Sequence, residues 1–384
     1  MKILFTGGGT GGHVVPIIAI AREIRKIYQG DDLQLFFIGP QDRVGSNLLF
    51  LEGIKVTNIM AGKVRRYAGF KSFFQNLADV FIKIPIGILQ SFFHIFFLSP
   101  DLIFSKGGFG SIPPVIAGKL LFVPIFLHES DITPGFANNI LRGLALEIFT
   151  SFPKTEHFSP KKLIRVGNPI RKELLTSSKK AAKRVLGIKS EKPVILVIGG
   201  SQGSQRVNDE ILEVLPQLLE EFEVIHQCGE KSYGTIRSET EVILNKESKP
   251  FYHLYPFLEE SDLRHAYAAA DLIIGRAGSG TIFEIAASGK PSILVPLPEA
   301  AQNHQLKNAY AYQESGATIV IEENNFSSHF LLEKLISLFE NPAKLKEMSE
   351  KAKEFSKPWA GWIIAHYLIE YLTKQKYGSR RIQA

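Results

Sequence analysis

The sequence is poor in cysteine and slightly poor in acidic residues. Its 384 residues include one cysteine, Cys228, so no disulfide can form within the chain, which favours a reducing compartment. It carries 45 lysines and arginines against 38 aspartates and glutamates, and the resulting net charge of +7 favours anionic partners. Zinc-finger spacing and RNA-binding signatures are both absent, so we expect no nucleic-acid partner.

Long uninterrupted apolar runs are also missing. Only four residues separate Lys2 from the first glycine, which is too short for the apolar core of a secretory signal. The most apolar stretch, DVFIKIPIGILQSFFHIFFLSPD, is interrupted by Lys83, Pro85, Gln90 and His94. Three interpretations of residues 80–98 are open: a transmembrane span, a core helix, or a helix lying at a membrane interface.

Basic residues just upstream favour the interfacial interpretation of this stretch. They are Lys63, Arg65, Arg66 and Lys71. Positive charge beside exposed apolar side chains attracts anionic lipid. Phe92 and Phe93 are the candidate membrane-contacting aromatics.

Short apolar segments alternate with amphipathic ones along the chain. The apolar segments predict strands that are buried on both faces. They are KILFT, LQLFFIG, DLIFSKG, PIFLHES, EIFTSF and LIRVGNP, then VILVIGG, EVIHQCG, FYHLYPF, DLIIGRAG and SILVPLP. Alternation with helical patterns predicts an α/β fold with parallel sheets.

The strand series restarts near Lys192, after a polar, lysine-rich stretch. This restart predicts an N-terminal domain over residues 1–168 and a C-terminal domain over 169–357. Residues 358–384 form a last helix. Because SKPW breaks the chain before it, this helix could pack back on the N-terminal domain.

Each predicted domain has a glycine-rich loop after its first strand. The loops are GGGTGG at Gly7–Gly12 and GGSQGS at Gly199–Ser204. Backbone N–H groups of such a loop, together with a helix N-terminus, bind phosphate. The first loop also matches the dinucleotide fingerprint, but the acid expected at the end of the second strand is replaced by Gly39 and Pro40. A tight turn without a ligand remains the alternative.

A third such turn, AGSGT, opens a predicted helix that contains Glu284. A carboxylate there can accept hydrogen bonds from a ribose diol, or it can act only as a helix-dipole partner. The later AAQNHQ segment offers amides and a histidine suited to sugar hydroxyls: Gln302, Asn303, His304 and Gln305. His13 follows the first loop, where it is either a solvent-exposed helix residue or a proton acceptor.

The ordered set GGTGGH, KGGFGSIP, HES, GNPIR, GGSQGS, GRAGSGTIFEIAASGKP and HQLKNA resembles the MurG family of glycosyltransferase family 28. The resemblance implies a GT-B fold, with two Rossmann-like domains facing each other across a cleft. It implies an inverting hexosyltransferase that moves N-acetylglucosamine from UDP-N-acetylglucosamine to the muramyl 4-hydroxyl of undecaprenyl-linked lipid I, giving lipid II.

The same resemblance implies a peripheral enzyme of cell-wall synthesis on the cytoplasmic face of the inner membrane. Its partners would be the two substrates, anionic lipid and other cell-wall synthesis proteins. It implies no cofactor and no metal in the chemical step. The sequence agrees with the second expectation, since it has no Asp-x-Asp pair of the kind that holds a nucleotide-bridging cation.

Site residues follow from the resemblance by matched position. His13 is the first candidate for the general base, with Glu129 and Asp131 next. Residues implied to bind UDP-N-acetylglucosamine are Thr10, Gly11, Gly12, Asp131, Arg171, Ser201, Leu258, Ala277, Gly278, Ser279, Gly280, Thr281, Glu284, His304 and Gln305. Residues implied in acceptor or membrane contact are Lys63, Arg65, Arg66, Phe92, Phe93, Gly107, Gly108 and Phe109.

The chain departs from the family pattern at three places. His128-Glu129-Ser130-Asp131 stands where HEQN is common, so Asp131 keeps an acceptor but loses an amide donor. Phe109 replaces a frequent tyrosine, and Gly280 a frequent leucine.

Three other functions remain open from the sequence. They are a UDP-N-acetylglucosamine 2-epimerase, another GT-B glycolipid glycosyltransferase, and a nucleotide- or NAD-binding module without transfer chemistry. The apolar stretch argues against the epimerase, and the missing second-strand acid argues against the NAD-binding module.

Overall fold

Parallel strands alternate with helices through nearly the whole chain. The computed structural model describes residues 1–8, 11–63, 70–153, 155, 158–200, 203–298 and 303–381, with the backbone alone for 70–73 and 375–381. The strands are β1 (Lys2–Thr6), β2 (Gln34–Gly39), β3 (Lys55–Asn58), β4 (Leu102–Ser105), β5 (Ile125–Glu129), β6 (Glu147–Thr150), β7 (Leu163–Arg165), β8 (Val194–Ile198), β9 (Glu223–Gln227), β10 (Tyr252–Tyr255), β11 (Leu272–Gly275), β12 (Ser292–Leu294) and β13 (Thr318–Val320).

The α-helices connect these strands. They are α1 (Gly11–Ile27), α2 (Arg43–Leu51), α3 (Phe70–Ala78), α4 (Ile84–Leu98), α5 (Ile112–Leu120), α6 (Phe136–Leu141), α7 (Lys179–Val185), α8 (Gln205–Glu213), α9 (Leu215–Glu221), α10 (Glu230–Ile243), α11 (Glu260–Ala269), α12 (Ser279–Ser288), α13 (His304–Gln313), α14 (Ser328–Phe339), α15 (Pro342–Phe355) and α16 (Ala360–Arg381). A π-helical turn, Asp79–Lys83, joins α3 to α4.

The chain divides into two compact units. The first contains Met1–Arg171 and Pro358–Ala384, and the second contains Lys172–Lys357. The first unit has a parallel sheet in the order β3-β2-β1-β4-β5-β6-β7, and the second has one in the order β10-β9-β8-β11-β12-β13. The predicted α/β fold with two parallel-sheet domains is therefore confirmed.

Helices α1 and α16 cover one face of the first sheet. Ile364, Ala365 and Leu368 of α16 are buried in the same cluster as the strand residues Phe126 and Phe149. The ring of Tyr371 meets that of Phe126 edge-on, with the centroids 5.1 Å apart. The last helix thus supplies part of the core of the first unit.

Helix α4 packs on the opposite face of the first sheet through one narrow stripe. Gly87, Ser91 and Ile95 recur every four residues and are buried. At Gly87 the helix lies so close to the Met60 carbonyl that an added Cβ would be 2.0 Å from its oxygen. Any movement of α4 away from the sheet would therefore lose the contact between Gly87 and the Met60 carbonyl.

The other faces of the Phe74–Leu98 helical segment are apolar and exposed. Only 17% of its most apolar window is buried, and by length and composition alone it could also cross a bilayer. Phe93 is 52% exposed and Phe97 80%, whereas Phe92 is half-buried against the core and stacks on Phe96. This exposed apolar surface is unusual for a soluble domain.

The sheet of the second unit has helices on both faces and a dense apolar core. A buried polar chain ties α8 to β9 and β10. The Asn208 amide donates to the Cys228 carbonyl, His226 Nε2 lies 3.0 Å from Asn208 Oδ1, and the Tyr252 hydroxyl lies 2.8 Å from His226 Nδ1. These bonds fix the start of α8 relative to the sheet.

All strand pairs are parallel, so the strands of each unit end at one common edge. In open α/β sheets, ligands bind beyond these carboxyl ends. In the first unit the loops after β1, β4 and β5 meet there, and in the second unit the loops after β8, β11 and β12.

Candidate functional site

Two glycine-rich loops touch at the carboxyl edge of the first sheet. Gly8 N–H donates to the Gly107 carbonyl at 2.8 Å. Gly107 and Gly108 have φ of +83° and +81°, a region that side chains disfavour. A Cβ on Gly108 would lie 2.9 Å from the Gly8 backbone. The loops can approach this closely because Gly108 has no side chain.

The His13 ring lies against this loop contact. His13 is in the first turn of α1 and is half-buried. A Cβ on Gly108 would lie 2.8 Å from His13 Nε2, and one on Gly8 would lie 3.1 Å from His13 Nδ1. The fold therefore brings together His13, Gly107 and Gly108, three of the residues predicted from sequence.

The Glu129 carboxylate is buried and accepts three hydrogen bonds from the protein. The donors are the backbone N–H groups of Asp131 and Gly135, both at 3.0 Å, and the side-chain amide of Asn138 at 2.9 Å. Both oxygens are engaged, so the carboxylate fixes the loop after β5. Burial raises the pKa of Glu129, and the charge of Asp131 adds to the shift.

Sequence reasoning missed Lys106, which follows β4 and precedes Gly107. Its side chain is buried, and the ammonium donates to the Ser130 hydroxyl. Burial lowers the pKa of Lys106 to about 8, although the carboxylates of Glu129 and Asp131 oppose the shift. An ammonium is therefore present under the loop that carries the predicted residues Glu129 and Asp131.

His128 stabilises the same loop from inside. Its Nε2 donates to the Gly167 carbonyl at 3.1 Å. Burial, together with the nearby Lys106 charge, keeps the pKa of His128 well below its ordinary value, so the ring is neutral. Phe109, at the start of a 3₁₀ turn, is half-buried beside this edge.

In the second unit, the loop after β8 also depends on glycine. Gly203 has φ of +75°, and a Cβ there would lie 2.2 Å from the Cys228 carbonyl oxygen. Gly200 is held by the Gln227 side-chain amide, which donates to its carbonyl at 3.0 Å. Ser204 then caps α8 by accepting from the Val207 N–H. The helix N-terminus is thus presented at the carboxyl edge.

Arg276 connects the loops of this edge. Like Lys106, it was not predicted as a functional residue from the sequence. Its guanidinium donates to Ser204 Oγ at 2.6 Å and to the Val295 carbonyl at 3.1 Å. It also forms a partly buried ion pair with Glu323. One side chain therefore fixes the ends of β8, β11 and β12 together.

The loop after β11 leads directly into α12. Ala277 and Ser279 are buried, and Gly278 is the N-cap. Added Cβ atoms on Gly278 and Gly280 would meet no described atom within 4 Å. The start of α12 therefore has open space beside both glycines, and anion binding there stays a prediction. Thr281 is half-buried in the first turn.

Glu284 lies one turn further along α12 and is half-buried. One of its carboxylate oxygens, Oε2, accepts from the Tyr267 hydroxyl at 3.1 Å. Because Tyr267 is buried, this bond orients the carboxylate.

Two further predicted residues are engaged with the backbone of the second unit. Gln305 Oε1 accepts from the Leu297 N–H at 3.1 Å, which holds the loop after β12 against the start of α13. Leu258 is buried, and its N–H donates to Gln227 Oε1 at 3.1 Å. The Leu258 N–H is therefore already used in a hydrogen bond within the protein. His304 is the first residue of α13 and is half-buried.

Several predicted residues are peripheral to these contacts or lie outside the described residues. Gly11 begins α1, Gly12 and Lys63 are exposed, and Arg171 is the last residue of the first part of the first unit. Thr10, Ser201, Gln302, Arg65 and Arg66 lie outside the described residues, as does the side chain of Lys71.

A groove of about 970 Å³ in the second unit does not coincide with this edge. Its lining includes Pro193 and Asp271, which precede β8 and β11, and lysines of α7. It therefore opens at the amino ends of the strands, whereas the glycine loops lie at the carboxyl ends. Strand direction, rather than cavity size, locates the candidate site.

Comparison with protein families matches both units. Residues 3–150 match the glycosyltransferase family 28 N-terminal domain, and residues 194–360 match its C-terminal domain. The chain is 38% identical over 354 residues to the UDP-N-acetylglucosamine–N-acetylmuramyl-(pentapeptide) pyrophosphoryl-undecaprenol N-acetylglucosamine transferase of Clostridium tetani. That alignment covers 91% of this chain and 94% of the relative.

Solved structures give the same picture of the fold. MurG from Acinetobacter baumannii superposes with a TM-score of 0.72 at 25% identity, covering 96% of this chain and 99% of that one. The UDP-GlcNAc 2-epimerase of Neisseria meningitidis, bound to UDP-GlcNAc, superposes with a TM-score of 0.66 at 16% identity, covering 96% and 100%. The second likeness concerns the fold alone.

Proposed function

Because the chain belongs to glycosyltransferase family 28, we propose that it transfers N-acetylglucosamine from UDP-N-acetylglucosamine to the muramyl 4-hydroxyl of lipid I. The product would be lipid II, the precursor for peptidoglycan synthesis. The observation that carries the proposal is the 38% identity to the Clostridium tetani transferase over 91% of the chain.

The second unit would bind the donor. The accessible N-terminus of α12, from Ala277 to Thr281, suits the diphosphate, because backbone N–H groups and the helix dipole stabilise negative charge there. Glu284, oriented by Tyr267, would accept hydrogen bonds from the ribose diol. Gln305 has its amide nitrogen as a donor for a sugar hydroxyl, since its oxygen is engaged by Leu297.

The first unit would bind the acceptor, with His13 as the general base. The acceptor 4-oxygen would form a bond to the anomeric carbon as the bond to the diphosphate breaks, and UDP would leave with the electron pair. His13 would take the hydroxyl proton. Attack opposite the leaving group inverts the anomeric configuration. The geometry favours His13 over Glu129, whose carboxylate already accepts three hydrogen bonds.

The exposed apolar surface of the Phe74–Leu98 segment would dock the enzyme on the cytoplasmic face of the membrane. Phe93 and Phe97 expose more than half of their area. Burying such rings in the interfacial region is favourable, and nearby positive charge adds attraction to anionic lipid. A lipid-linked acceptor would then reach the protein from the membrane surface.

The test is incubation of the purified protein with labelled UDP-N-acetylglucosamine and lipid I, with either EDTA or added Mg²⁺. We expect lipid II at similar rates in both, and an inverted anomeric linkage by NMR. A folded protein that binds UDP-N-acetylglucosamine but forms no lipid II would contradict the proposal. Conversion of the donor to UDP-N-acetylmannosamine without acceptor would favour the epimerase.

A further inference from the structure

We propose that a basic groove in the second unit binds an acidic segment of a partner protein, one that also carries apolar side chains. The basic groove is the cavity of about 970 Å³ at the amino ends of the strands, lined by α7, by the residues between α7 and β8, and by the start of α15. The inference goes beyond the transferase function and does not depend on it, since the glycine loop of this unit lies at the carboxyl ends. It gives a role to the lysine-rich stretch that precedes β8.

The lining of the basic groove is strongly positive. Its six cations are Lys179, Lys180, Lys183, Arg184, Lys189 and Lys192. Two carboxylates, Glu191 and Asp271, oppose them, which leaves a net charge of +4, whereas the whole chain carries +7. This concentration of positive charge in one cavity favours an anionic ligand.

Several of these cations are oriented by the protein. Lys179 is paired with Asp271, so this carboxylate is already neutralised. The ammonium groups of Lys183 and Lys192 donate to backbone carbonyls at 2.9 Å and 2.7 Å, which fixes their positions and leaves their charge in place. The lining therefore presents positive charge in excess, at defined positions.

Helix α7 carries two of the cations against its own electrostatics. Ser178 is its N-cap, so Lys180 lies in the first turn, where the helix dipole disfavours positive charge. Arg184 follows four residues later on the same side of the helix, and like charges at this spacing repel each other. Both side chains are exposed, and neither forms an ion pair with a described residue. A ligand carboxylate beside them would relieve this repulsion.

The basic groove also has an apolar part, formed by Ile188, Phe339 and Leu345. Ile188 follows Gly187, whose φ of +74° ends α7, and it is buried. Phe339 and Leu345 are half-buried, and the Phe339 ring packs against that of Phe222 with the centroids 4.9 Å apart. A ligand that carries only negative charge would leave this apolar area uncovered.

The two parts of the lining together select the chemistry of the ligand. A phosphate or a nucleic-acid backbone would pair with the lysines and leave the apolar side chains exposed to water, and a flat bilayer cannot fill a concave groove. A peptide in which carboxylates flank leucine or phenylalanine satisfies both parts. The chain's own C-terminus cannot supply it, because its last ten residues, QKYGSRRIQA, contain three cations and no acidic side chain.

The experiment measures binding of the fluorescein-labelled peptide EELEELEEL by fluorescence anisotropy. The peptide EESEESEES has the same number of carboxylate side chains and no apolar one. The groove variant combines Lys180→Glu with Arg184→Glu. The control variant combines Arg237→Glu with Lys246→Glu, which changes the net charge equally at exposed positions outside the groove.

We expect the wild type and the control variant to bind EELEELEEL, and to bind it less tightly as NaCl is raised, because salt screens the charges. The groove variant should bind it about 10-fold more weakly, the effect of two lost charge pairs and of the repulsion that replaces them. The wild type should also bind EESEESEES about 10-fold more weakly, since this peptide leaves the apolar part uncovered. UDP-N-acetylglucosamine should not displace the peptide.

Equal losses in the groove and control variants would overturn the inference, because net charge alone would then explain binding. Equal affinity for the two peptides would overturn the acidic and apolar segment as the ligand. Tighter binding of oligo(A) RNA or of phosphatidylglycerol vesicles, lost in the groove variant, would do the same. Displacement by UDP-N-acetylglucosamine would move the peptide to the carboxyl edge and contradict the groove.

Two further measurements keep the result decisive. If the groove variant does not fold by thermal denaturation, Lys189→Glu replaces it, and an unchanged affinity for EELEELEEL then overturns the inference. A wild-type dimer in sedimentation velocity that the groove variant dissociates would show that a second copy fills the groove, which overturns the separate partner. A protein that binds the peptide as expected but makes no lipid II would contradict the transferase function alone.

Discussion

Replacing Gly108 with alanine tests whether the contact of the two glycine loops positions His13. Gly108 has φ of +81°, and an added Cβ would lie 2.8 Å from His13 Nε2 and 2.9 Å from the backbone N and Cα of Gly8. The backbone conformation alone costs a non-glycine residue about 1–3 kcal/mol. The two short contacts cannot be relieved unless the Gly8 loop or the His13 ring moves.

The expected loss of stability is modest and the expected loss of activity is large. Domains are stable by about 5–15 kcal/mol, so the variant should fold. For a unit of this size each kcal/mol lowers Tm by about 2–4 °C, which predicts a Tm lower by about 2–12 °C. A displacement of about 1 Å in a catalytic group can cost roughly 100-fold in rate, so transfer to lipid I should fall on that scale.

The assay pairs thermal unfolding with lipid II formation. Binding of UDP-N-acetylglucosamine, which we propose takes place in the second unit, serves as an internal reference. Gly143→Ala is the matched control, since a Cβ there would meet no described atom within 4 Å and its φ is not positive. The control should match the wild type in all three measurements. Wild-type Tm and wild-type turnover in Gly108→Ala would refute the reasoning.

Three other predictions concern separate parts of the molecule. Glu284→Ala should weaken UDP-N-acetylglucosamine binding by about 2 kcal/mol in calorimetry, the contribution of a charge-assisted hydrogen bond, and unchanged affinity would exclude Glu284 as a ribose ligand. Phe97→Ser should reduce binding to phosphatidylglycerol vesicles by about 10-fold, because burying a phenylalanine contributes roughly 1.5–3 kcal/mol. Phe50 is similarly exposed, so Phe50→Ser serves as the control and should not reduce vesicle binding. Equal losses in both variants would exclude a specific membrane-binding surface. Burial lowers the pKa of His226 to about 3, so between pH 6.5 and 3 the His226 ring takes up a proton in the unfolded chain but not in the folded protein. The stability that comes from burying the neutral ring is therefore complete above about pH 6.5. It is lost as the pH falls, by up to about 1.4 kcal/mol per pH unit. His226→Gln should flatten the pH dependence of the free energy of unfolding in urea, and an identical slope would contradict this.

The interior strands of both sheets could be predicted because they are buried on both faces and therefore read as continuous apolar runs. The segment VILVI of β8, for example, has five buried residues in a row. Strands β3 and β13 were not predicted. Both are short and lie at sheet edges, and β3 has no buried residue, so the sequences KVTN and TIV carry little periodic signal.

The glycine loops and Glu284 could be placed from sequence because their chemistry is local. Lys106 and Arg276 could not, since their importance comes from burial among residues far away in the chain. Lys106 reaches Ser130, and Arg276 reaches Ser204 and Glu323. The available signal was a cation at the carboxyl end of an apolar strand, next to glycine, in SKGG and in GRAG.

The last helix has a consequence for how the chain must be made. During synthesis, Phe126 and Phe149 leave the ribosome long before Tyr367 and Tyr371, which cover them. The whole of Lys172–Lys357 is translated in between and is free to fold first. Until the last helix is made, Phe126 and Phe149 of the first unit therefore lack the rings that cover them. A fragment that ends before Pro358 should keep this sheet face uncovered and should aggregate. The second unit is continuous in sequence, so we expect Lys172–Lys357 to fold when it is expressed alone.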